Sequence, residues 1–245
     1  MPGWRGCNLP MGWRRSSLCA RRYQGEWAPI HASLPGKTAG GPMKLLYSRN
    51  LNPRVAVAVA RYLKAPVEYV PADPRNPANT EAFRRINPNA LVPVLVEEGQ
   101  DPLWEVDAIA CRLSTLMRSD FWRTGDELAR MVMWVSWANI HLNPPAGDVY
   151  FYRLIWPTFS TDPADEGVVA QGKARFAEHA AVLDGALAGR DWLVGGRISY
   201  ADFRVASALP FAERAGLALD DFPNIRAWHG RLMQIPAWAD PFAGV

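Results

Sequence analysis

The residues best suited to chemistry lie around Pro93 and Glu105. Pro93 interrupts Leu91–Val96, an apolar run of strand length. It cannot donate a ladder hydrogen bond, so it belongs at the start of the strand or on an edge. A proline there can be held cis, which turns the preceding backbone outward, where its N–H and C=O can pair with a peptide-like ligand. The helix that opens at Glu105 offers free N–H groups suited to a carboxylate, and the Glu105 carboxylate can itself pair with an amino group.

The surrounding elements must hold these two groups together. Glu97–Pro102 is a turn cluster, Leu103–Trp104 predicts a short strand antiparallel to the first, and apolar residues recur at helical spacing from Val106. The spacing alone leaves two interpretations open. One is a ligand-binding turn; the other is a plain edge hairpin in which Glu105 only stabilises the helix dipole. Asp107 is expected to be solvated.

The segment before this hairpin predicts alternating strands and helices. Lys44–Ser48 has the pattern of a strand, and a helix follows with Asn52 as its N-cap and Pro53 at its first position. Val55–Ala60 alternates with the period of a strand. The Asn-Pro start signal and the helix formers that follow nevertheless predict a buried helix there.

A second strand at Val67–Val70 and a second helix at Thr80–Ile86, capped by Asn79 or Thr80, complete the pattern. Residues 43–118 therefore predict an α/β domain with the order βαβαββα, which is that of a thioredoxin-like domain. Residues 119–126 are polar and turn-rich, and they predict a linker to a second domain.

Helical spacing dominates residues 127–245 and predicts an all-helical domain. Ser199 and Asp202 have the spacing of a capping box, in which each side chain satisfies a backbone N–H at a helix start. The predicted elements are a helix at 127–142 that ends at Asn143-Pro144-Pro145, an unassigned aromatic stretch at 147–165, and helices at 167–187, at 200–215 and from 221.

Several motifs resemble those of the cytosolic glutathione transferases. Asn87-Pro88, Leu91-Val92-Pro93-Val94-Leu95 and Leu103-Trp104-Glu105 with Ala108-Ile109 are similar to the pattern NPxGKVPxL…LxESxAI. Two C-terminal blocks, 195–202 and 222–238, are similar to GxxxSxAD and FPxLxxWxxRxxxxPAW. The resemblance runs from Met43 to about Trp238, and the blocks occur in the family's order.

The resemblance implies a glutathione site. In the family, the residue before the cis-proline pairs by its backbone with the cysteinyl part of glutathione, and a Glu-Ser pair holds the γ-glutamyl end. Two positions depart from the pattern, because Leu91 stands where the family has lysine and Val106 where it has serine; Ala90 also replaces a glycine. Arg49 or Arg54 would have to replace the lost contacts. The implied glutathione-binding residues are Asn52, Leu91, Val92, Pro93, Glu105 and Val106.

The resemblance also implies where the thiol is activated. In the family, a tyrosine, serine or cysteine after the first strand donates a hydrogen bond to the glutathione sulfur and lowers its pKa. That loop here offers Ser48, at the strand end, and Asn50, which aligns with the serine of theta-like members. The Asn50 amide can donate to a thiolate, and Asn50 can equally be a turn residue. Cys111 lies in the helix after the hairpin, so cysteine-dependent reduction is not expected.

The expected activity is addition of the glutathione thiolate to a small apolar electrophile, as in detoxification, with glutathione as co-substrate, no metal, and a homodimer implied by the resemblance. Two alternatives remain: a non-catalytic binding or interaction module on the same fold, and a glutathione-dependent isomerase or dehalogenase. The aromatic residues that could wall an acceptor pocket, or be core instead, are Trp134, His141, Tyr150 and Trp156.

Composition limits the other classes of function. No apolar run is long enough to span a membrane, and three cysteines in 245 residues predict a reducing, cytoplasmic location rather than a disulfide framework. Residues 1–42 hold six of the 27 Lys and Arg but one of the 24 Asp and Glu, which leaves the remainder slightly acidic and argues against nucleic-acid binding. Residues 1–42 are expected to be a disordered tail or a non-native extension.

Overall fold

The computed structural model of the chain describes residues 43–245, as a four-stranded sheet with three helices followed by a helical half. The prediction about residues 1–42 lies outside the described residues. Within residues 43–245, no helix combines the length and the apolar content needed to cross a bilayer.

The first half has the predicted order βαβαββα. Its strands are β1 (Met43–Tyr47), β2 (Val67–Pro71), β3 (Val94–Val96) and β4 (Leu103–Trp104), and its helices are α1 (Leu51–Tyr62), α2 (Pro77–Arg84) and α3 (Val106–Leu116). The sheet order is β2-β1-β3-β4, with β1 parallel to β2 and antiparallel to β3, and with β4 antiparallel to β3. The thioredoxin-like prediction is confirmed.

Helix α1 confirms that the alternating Val55–Ala60 segment is helical, and every residue of that segment is fully buried. Small alanines between the valines allow the helix to be covered on all sides, by α3 and by the later helices Tyr200–Val205 and Pro236–Ala239 among others. The predicted cap was wrong, because the helix begins at Leu51. Its N-cap is Asn50, whose Oδ1 accepts a 2.7 Å hydrogen bond from the Leu51 N–H, and Asn52 lies inside the first turn.

Helix α2 also begins earlier than predicted. Its N-cap is Asn76, whose Oδ1 accepts from the Ala78 N–H at 3.0 Å, and Pro77 occupies the first helical position. The predicted caps, Asn79 and Thr80, lie within the helix. The Asn-Pro pair at 76–77 is therefore the true start signal, because proline fixes a helical φ and needs no hydrogen-bond acceptor there.

The second half is helical, as predicted. Its α-helices are α4 (Leu128–Trp137), α5 (Asn143–Tyr150), α6 (Glu166–Leu187), α7 (Tyr200–Val205), α8 (Ala212–Ala215), α9 (Pro223–Leu232) and α10 (Pro236–Ala239). The capping box at Ser199 and Asp202 is confirmed. The helix predicted over 200–215 is interrupted, because α7 ends at Val205 and a 3₁₀ turn at Leu209–Phe211 precedes α8.

The prediction that a helix ends at Asn143-Pro144-Pro145 was wrong. The chain passes from α4 through a π-helical segment, Ala138–Leu142, directly into α5. The Asn143 N–H bonds to the Ala138 carbonyl, five residues back, and the two prolines that follow have no N–H to donate. They thus occupy the first turn of α5, where the missing donors cost nothing.

The segment between the halves is packed rather than loosely tethered. Phe121 and Arg123 are each 1% exposed, and the Arg123 Nη2 donates to the carbonyls of Arg197 and Ile198 at 2.8 Å. A buried guanidinium held by backbone carbonyls fixes the start of the helical half against the loop before α7.

Candidate functional site

Three chain segments meet at one end of the sheet, where β1 and β4 end and β3 begins. Leu46 pairs with Val94 in the β1–β3 ladder, so Ser48 leaves β1 beside Val92. Val94 also pairs with Trp104 in the β3–β4 ladder, so the chain leaves β4 at Glu105, beside Pro93. The register therefore brings the loop after β1, the residues before β3 and the start of α3 together.

Asn50 lies in the loop after β1, and the oxygen of its side-chain amide is already hydrogen-bonded. The Asn50 Oδ1 caps α1, and its backbone N–H donates to the Ser48 carbonyl at 2.9 Å. Within residues 43–245 the Nδ2 group of Asn50 and the hydroxyl of Ser48 have no hydrogen-bond partner. Both are therefore available donors, and capping fixes which side of the Asn50 amide faces away from the helix.

The peptide bond between Val92 and Pro93 is cis, as the position of the proline predicted. Val92 lies outside the paired register, which begins at Val94. Asn87, which is 3% exposed, shapes the approach: its Nδ2 donates to the Leu91 carbonyl at 2.8 Å and its Oδ1 accepts from the Asn89 N–H at 3.0 Å. The backbone of Val92 is thus presented at the end of the sheet without a strand partner.

Glu105 holds an uncommon conformation at the start of α3. Its φ is 70° and its side chain is exposed, without capping the helix and without any ion-pair or hydrogen-bond partner in the described part of the chain. Positive φ in a residue other than glycine costs of order 1–3 kcal/mol, and such residues concentrate at functional sites. The free N–H groups of the first turn of α3 lie beside this carboxylate.

The two positions that depart from the family pattern, Leu91 and Val106, differ in how exposed their side chains are. Leu91 is 55% exposed, so its side chain reaches the surface of the site but brings no polar group. Val106 is 2% exposed and packs into the core. Neither side chain can donate a hydrogen bond to glutathione. Ala90, at the family's glycine position, has a φ of 50°, which is the conformation that favours glycine.

The two arginines considered as replacements bind the C-terminal segment instead. The Arg49 Nη2 donates to the Val245 carbonyl at 3.2 Å, and its guanidinium lies over the Phe242 ring. Arg54 is 4% exposed, donates to the Trp238 carbonyl and lies 4.6 Å from the centre of the Trp238 ring. Burial lowers the pKa of Arg54 to about 10. Arg54 thus has a structural role, since it fastens α1 to the C-terminal segment.

Asp107, which was expected to be solvated, is only 25% exposed and is paired through both of its carboxylate oxygens. Its Oδ1 accepts a 2.5 Å hydrogen bond from the Tyr200 hydroxyl and lies 3.1 Å from the Arg204 Nε, and its Oδ2 accepts from the Asn139 Nδ2 at 2.7 Å. The Arg204 Nη1 donates to the Asn52 Oδ1 at 2.7 Å. Burial, and next the Asp107 charge, hold the pKa of Tyr200 well above its usual value, so Tyr200 stays a neutral donor.

Sequence reasoning missed this network because its members are far apart in the chain. Asn139 and Asp107 are 32 residues apart, and Arg204 and Asn52 are 152 apart. The available signal was an arginine in a helix that is otherwise buried, since a buried charge needs a partner. That signal identifies Arg204 but not the residues it binds.

The four aromatic residues predicted for an acceptor pocket each pack against other rings. Trp134 packs on Trp137, which in turn contacts His141. Tyr150, which is 5% exposed, packs on Phe211. Trp156 lies in a cluster of half-buried rings with Phe151, Tyr152 and Phe159.

Metal-ligating side chains do not cluster in threes anywhere in residues 43–245. Two cavities in the described residues, of about 680 and 570 Å³, lie away from the sheet end, beside Trp192 and between Lys64 and Pro236 respectively. The candidate site itself is formed by three turns at the end of the sheet.

Comparison with known proteins gives matches to both halves of the chain. The family model for the glutathione S-transferase N-terminal domain matches residues 53–116, and the one for the C-terminal domain matches residues 136–236. The chain is 30% identical to the probable glutathione S-transferase GSTF2 of Oryza sativa subsp. japonica, over 80% of this chain and 94% of that protein.

Two further similarities were found, one to a protein sequence and one to a solved structure. Elongation factor 1-gamma of Schizosaccharomyces pombe is 32% identical to this chain, over 68% of this chain and 40% of that protein's length. A solved glutathione S-transferase I bound with lactoylglutathione has a TM-score of 0.75 and 22% identity, covering 83% of this chain and 99% of that one. This last similarity supports the fold.

Proposed function

Because the chain belongs to the glutathione S-transferase family, we propose that it binds glutathione at the sheet end and adds the thiolate to a small apolar electrophile. The observation that carries the proposal is Glu105, an exposed carboxylate at positive φ without a partner in residues 43–245. Such a carboxylate suits the α-amino group of the γ-glutamyl end. The backbone of Val92 then pairs with the cysteinyl part.

The thiol is activated by hydrogen bonding rather than by covalent catalysis. With the γ-glutamyl end on Glu105 and the cysteinyl backbone on Val92, the sulfur points towards the loop after β1. There the Nδ2 of Asn50 and the hydroxyl of Ser48 are free donors. A hydrogen bond to the anion favours the thiolate and so lowers the thiol pKa. The thiolate attacks a carbon of the electrophile and forms a thioether. In a substitution, the leaving group of the electrophile departs with the electron pair; in an addition, the double bond of the electrophile takes up a proton.

The electrophile is proposed to bind against aromatic surface on the helical half. The residues assigned to it are Trp134, His141, Tyr150 and Trp156. Of these, His141 and Trp156 are half-buried and offer ring surface, whereas Trp134 and Tyr150 are 9% and 5% exposed and offer little. Aromatic side chains bury large apolar areas, so this surface favours flat, uncharged acceptors. Isomerase or dehalogenase chemistry would use the same thiolate and differ in the product released.

A non-catalytic role is the second candidate, and two positions favour it. Leu91 and Val106 bring no polar group to glutathione, and each lost hydrogen bond to a charged group weakens binding by about 1.5–3 kcal/mol. The similarity to elongation factor 1-gamma also fits a binding module on this fold. In that case the sheet end would hold glutathione weakly or not at all.

A second copy of the chain is the partner proposed for α4. Its Leu128, Val132 and Met133 side chains are 39%, 43% and 50% exposed and share one face, and Ile140 follows at 63%. An exposed apolar face of this kind marks an interface. Sedimentation of the full chain should give a dimer, and a paired substitution, Val132→Glu with Met133→Glu, should give a monomer. A monomeric wild type would refute the dimer.

The enzymatic proposal is tested by following conjugation of glutathione to chlorodinitrobenzene with the full chain. Glu105→Gln keeps the size of the side chain but removes its charge, and it should raise the KM for glutathione about tenfold or more. Glu213→Gln, at an exposed carboxylate on α8, is the matched control and should leave the KM unchanged. Conjugation no faster than in the absence of protein, although glutathione binds, would favour the non-catalytic candidate.

A further inference from the structure

One guanidinium connects both turns of the candidate site to the helical half. Arg204 lies in α7 with its side chain 10% exposed. Its Nη1 donates to the Asn52 Oδ1 at 2.7 Å, in the first turn of α1, and its Nε lies 3.1 Å from the Asp107 Oδ1, in the first turn of α3. The Nε also donates to the Asn139 Oδ1 at 2.6 Å, in the π-helical segment.

The remaining contacts make this arrangement rigid. Asn139 donates back to the Asp107 Oδ2 at 2.7 Å, and Tyr200 donates to the Asp107 Oδ1. Both carboxylate oxygens of Asp107 are therefore occupied, and its charge lies against Arg204. This ion pair is partly buried, with the Arg204 side chain 10% and the Asp107 side chain 25% exposed, and its hydrogen bonds are satisfied. It is costly to disturb, because removing either partner leaves a charge unpaired. The two turns cannot shift independently without breaking it.

The same two turns carry the residues assigned to glutathione. Asn50 precedes Asn52 by two residues, and Glu105 precedes Asp107 by two. The first helical hydrogen bond of each turn also ends on those residues, since the Arg54 N–H donates to the Asn50 carbonyl at 2.8 Å and the Ile109 N–H donates to the Glu105 carbonyl at 3.0 Å. Movement of either turn would thus move a candidate glutathione contact.

We infer that Arg204 is a positioning residue, which holds the first turns of α1 and α3 at the spacing that one glutathione molecule must span between Asn50 and Glu105. The inference rests on the proposed function. The planar guanidinium is required because its Nε and Nη1 donate in different directions, whereas a lysine ammonium is a single point at the end of a flexible chain. Misplacement by about 1 Å is enough to lower catalysis about a hundredfold.

The test compares Arg204→Lys with the wild-type full chain, and Arg214→Lys, at an exposed arginine on α8, is the control. Hydrogen exchange of the Arg54 and Ile109 amides reports the two turns directly. We expect Arg204→Lys to speed exchange at both amides by about tenfold or more, while the amides in the centre of α6 are unchanged. Uniformly faster exchange throughout the chain, or no change at the two amides, would overturn the inference.

A second variant, Asn52→Ala, distinguishes the contact of Arg204 with α1 from its contact with α3. It also provides a test if Arg204→Lys fails to fold. It removes the contact of Arg204 with α1 but retains those with Asp107 and Asn139. Exchange should then rise at Arg54 and not at Ile109. A rise at both amides, or at neither, would contradict the assignment of separate arms to the two turns.

Binding measurements distinguish this inference from the proposed function. The dissociation constant for glutathione, and the pKa of the bound thiol followed by ultraviolet thiolate absorbance, should both rise in Arg204→Lys and stay unchanged in Arg214→Lys. Binding by the wild type with both quantities unchanged in Arg204→Lys would overturn the inference alone. No binding by the wild type would overturn the proposed function and the inference with it.

Discussion

The Trp228 Nε1 donates a 3.0 Å hydrogen bond to the Asp202 Oδ1 at the centre of the helical half, where both residues are fully buried. The same carboxylate accepts from the backbone N–H groups of Leu193, at 3.0 Å, and Ser199, at 2.8 Å. Burial raises the pKa of Asp202, and these hydrogen bonds oppose that shift. One side chain thus joins the start of α7, the loop before it and α9.

Asp202→Ala should destabilise the protein by about 3–5 kcal/mol, because it removes one side of the capping box and leaves the buried N–H groups of Leu193, Ser199 and Trp228 without this acceptor. Urea unfolding followed by tryptophan fluorescence measures the change in the free energy of unfolding. Asp221→Ala, at an exposed aspartate before α9, should change it by less than about 0.5 kcal/mol. A loss below about 1 kcal/mol for Asp202→Ala would contradict this role.

Glycine substitutions at two residues with positive φ should have the same effect on the free energy of unfolding but different effects on glutathione binding. Ala90 and Glu105 have φ values of 50° and 70°, so Ala90→Gly and Glu105→Gly should each stabilise the protein by about 1 kcal/mol. Thermal unfolding checks the gain. Glutathione binding should survive Ala90→Gly and be lost in Glu105→Gly. Destabilisation by both variants would show that neither position is strained.

Stability should fall at mildly acid pH because of His229. Burial, and next the charge of Arg54, lower the pKa of His229 from 6.5 to about 4. The unfolded chain therefore binds the proton more tightly, so the stabilisation is complete above pH 6.5 and is lost as the pH falls towards 4, by at most roughly 3 kcal/mol. Unfolding free energies measured across this range should show the decline.

Replacing the histidine identifies the group responsible. His229→Gln should flatten most of that decline, whereas His179→Gln should flatten less of it, since the pKa of His179 is lowered by a shallower burial. An unchanged pH profile in His229→Gln would refute the assignment.

Substitutions in the loop after β1 decide which donor activates the thiol. Asn50→Asp keeps the oxygen that caps α1 but replaces the free Nδ2 by a charged oxygen, so the pKa of the bound thiol should rise by about one unit or more. Asn50→Ser retains both a cap and a donor and should change it little. Ser48→Ala is the comparison. A rise in Ser48→Ala with none in Asn50→Asp would assign the role to Ser48.

Local signals predicted the elements but not their connections. Patterns of a few residues were enough to predict the proline before β3, the capping box at Ser199 and the order of strands and helices, and these predictions were correct. The N-cap at Asn50 was missed because Asn52 precedes a proline and gave the stronger start signal. The π-helical segment was missed because Pro144 and Pro145 read as a stop, whereas a hydrogen bond five residues back lets the helix continue.

The candidate site divides in the same way. The cis peptide before Pro93 and the position of Glu105 at a helix start could be predicted because both depend on neighbours in sequence, and their role in binding glutathione stays a prediction. Asp107 was expected to be solvated, since no nearby residue predicts its bonds with Tyr200 and Arg204. Pairings of this kind depend on how the two halves pack, and a single sequence carries little information about them.

Calorimetric titration of the full chain with reduced glutathione, repeated on Glu105→Ala and Asn50→Ala, tests the central claim most directly. We expect the wild type to bind with a dissociation constant between about 1 μM and 1 mM, or −8.2 to −4.1 kcal/mol. Glu105→Ala should abolish detectable binding, because the amino group then loses its charged partner. No heat and no competition by glutathione at high concentration, or binding unchanged in Glu105→Ala, would contradict a glutathione site at this end of the sheet.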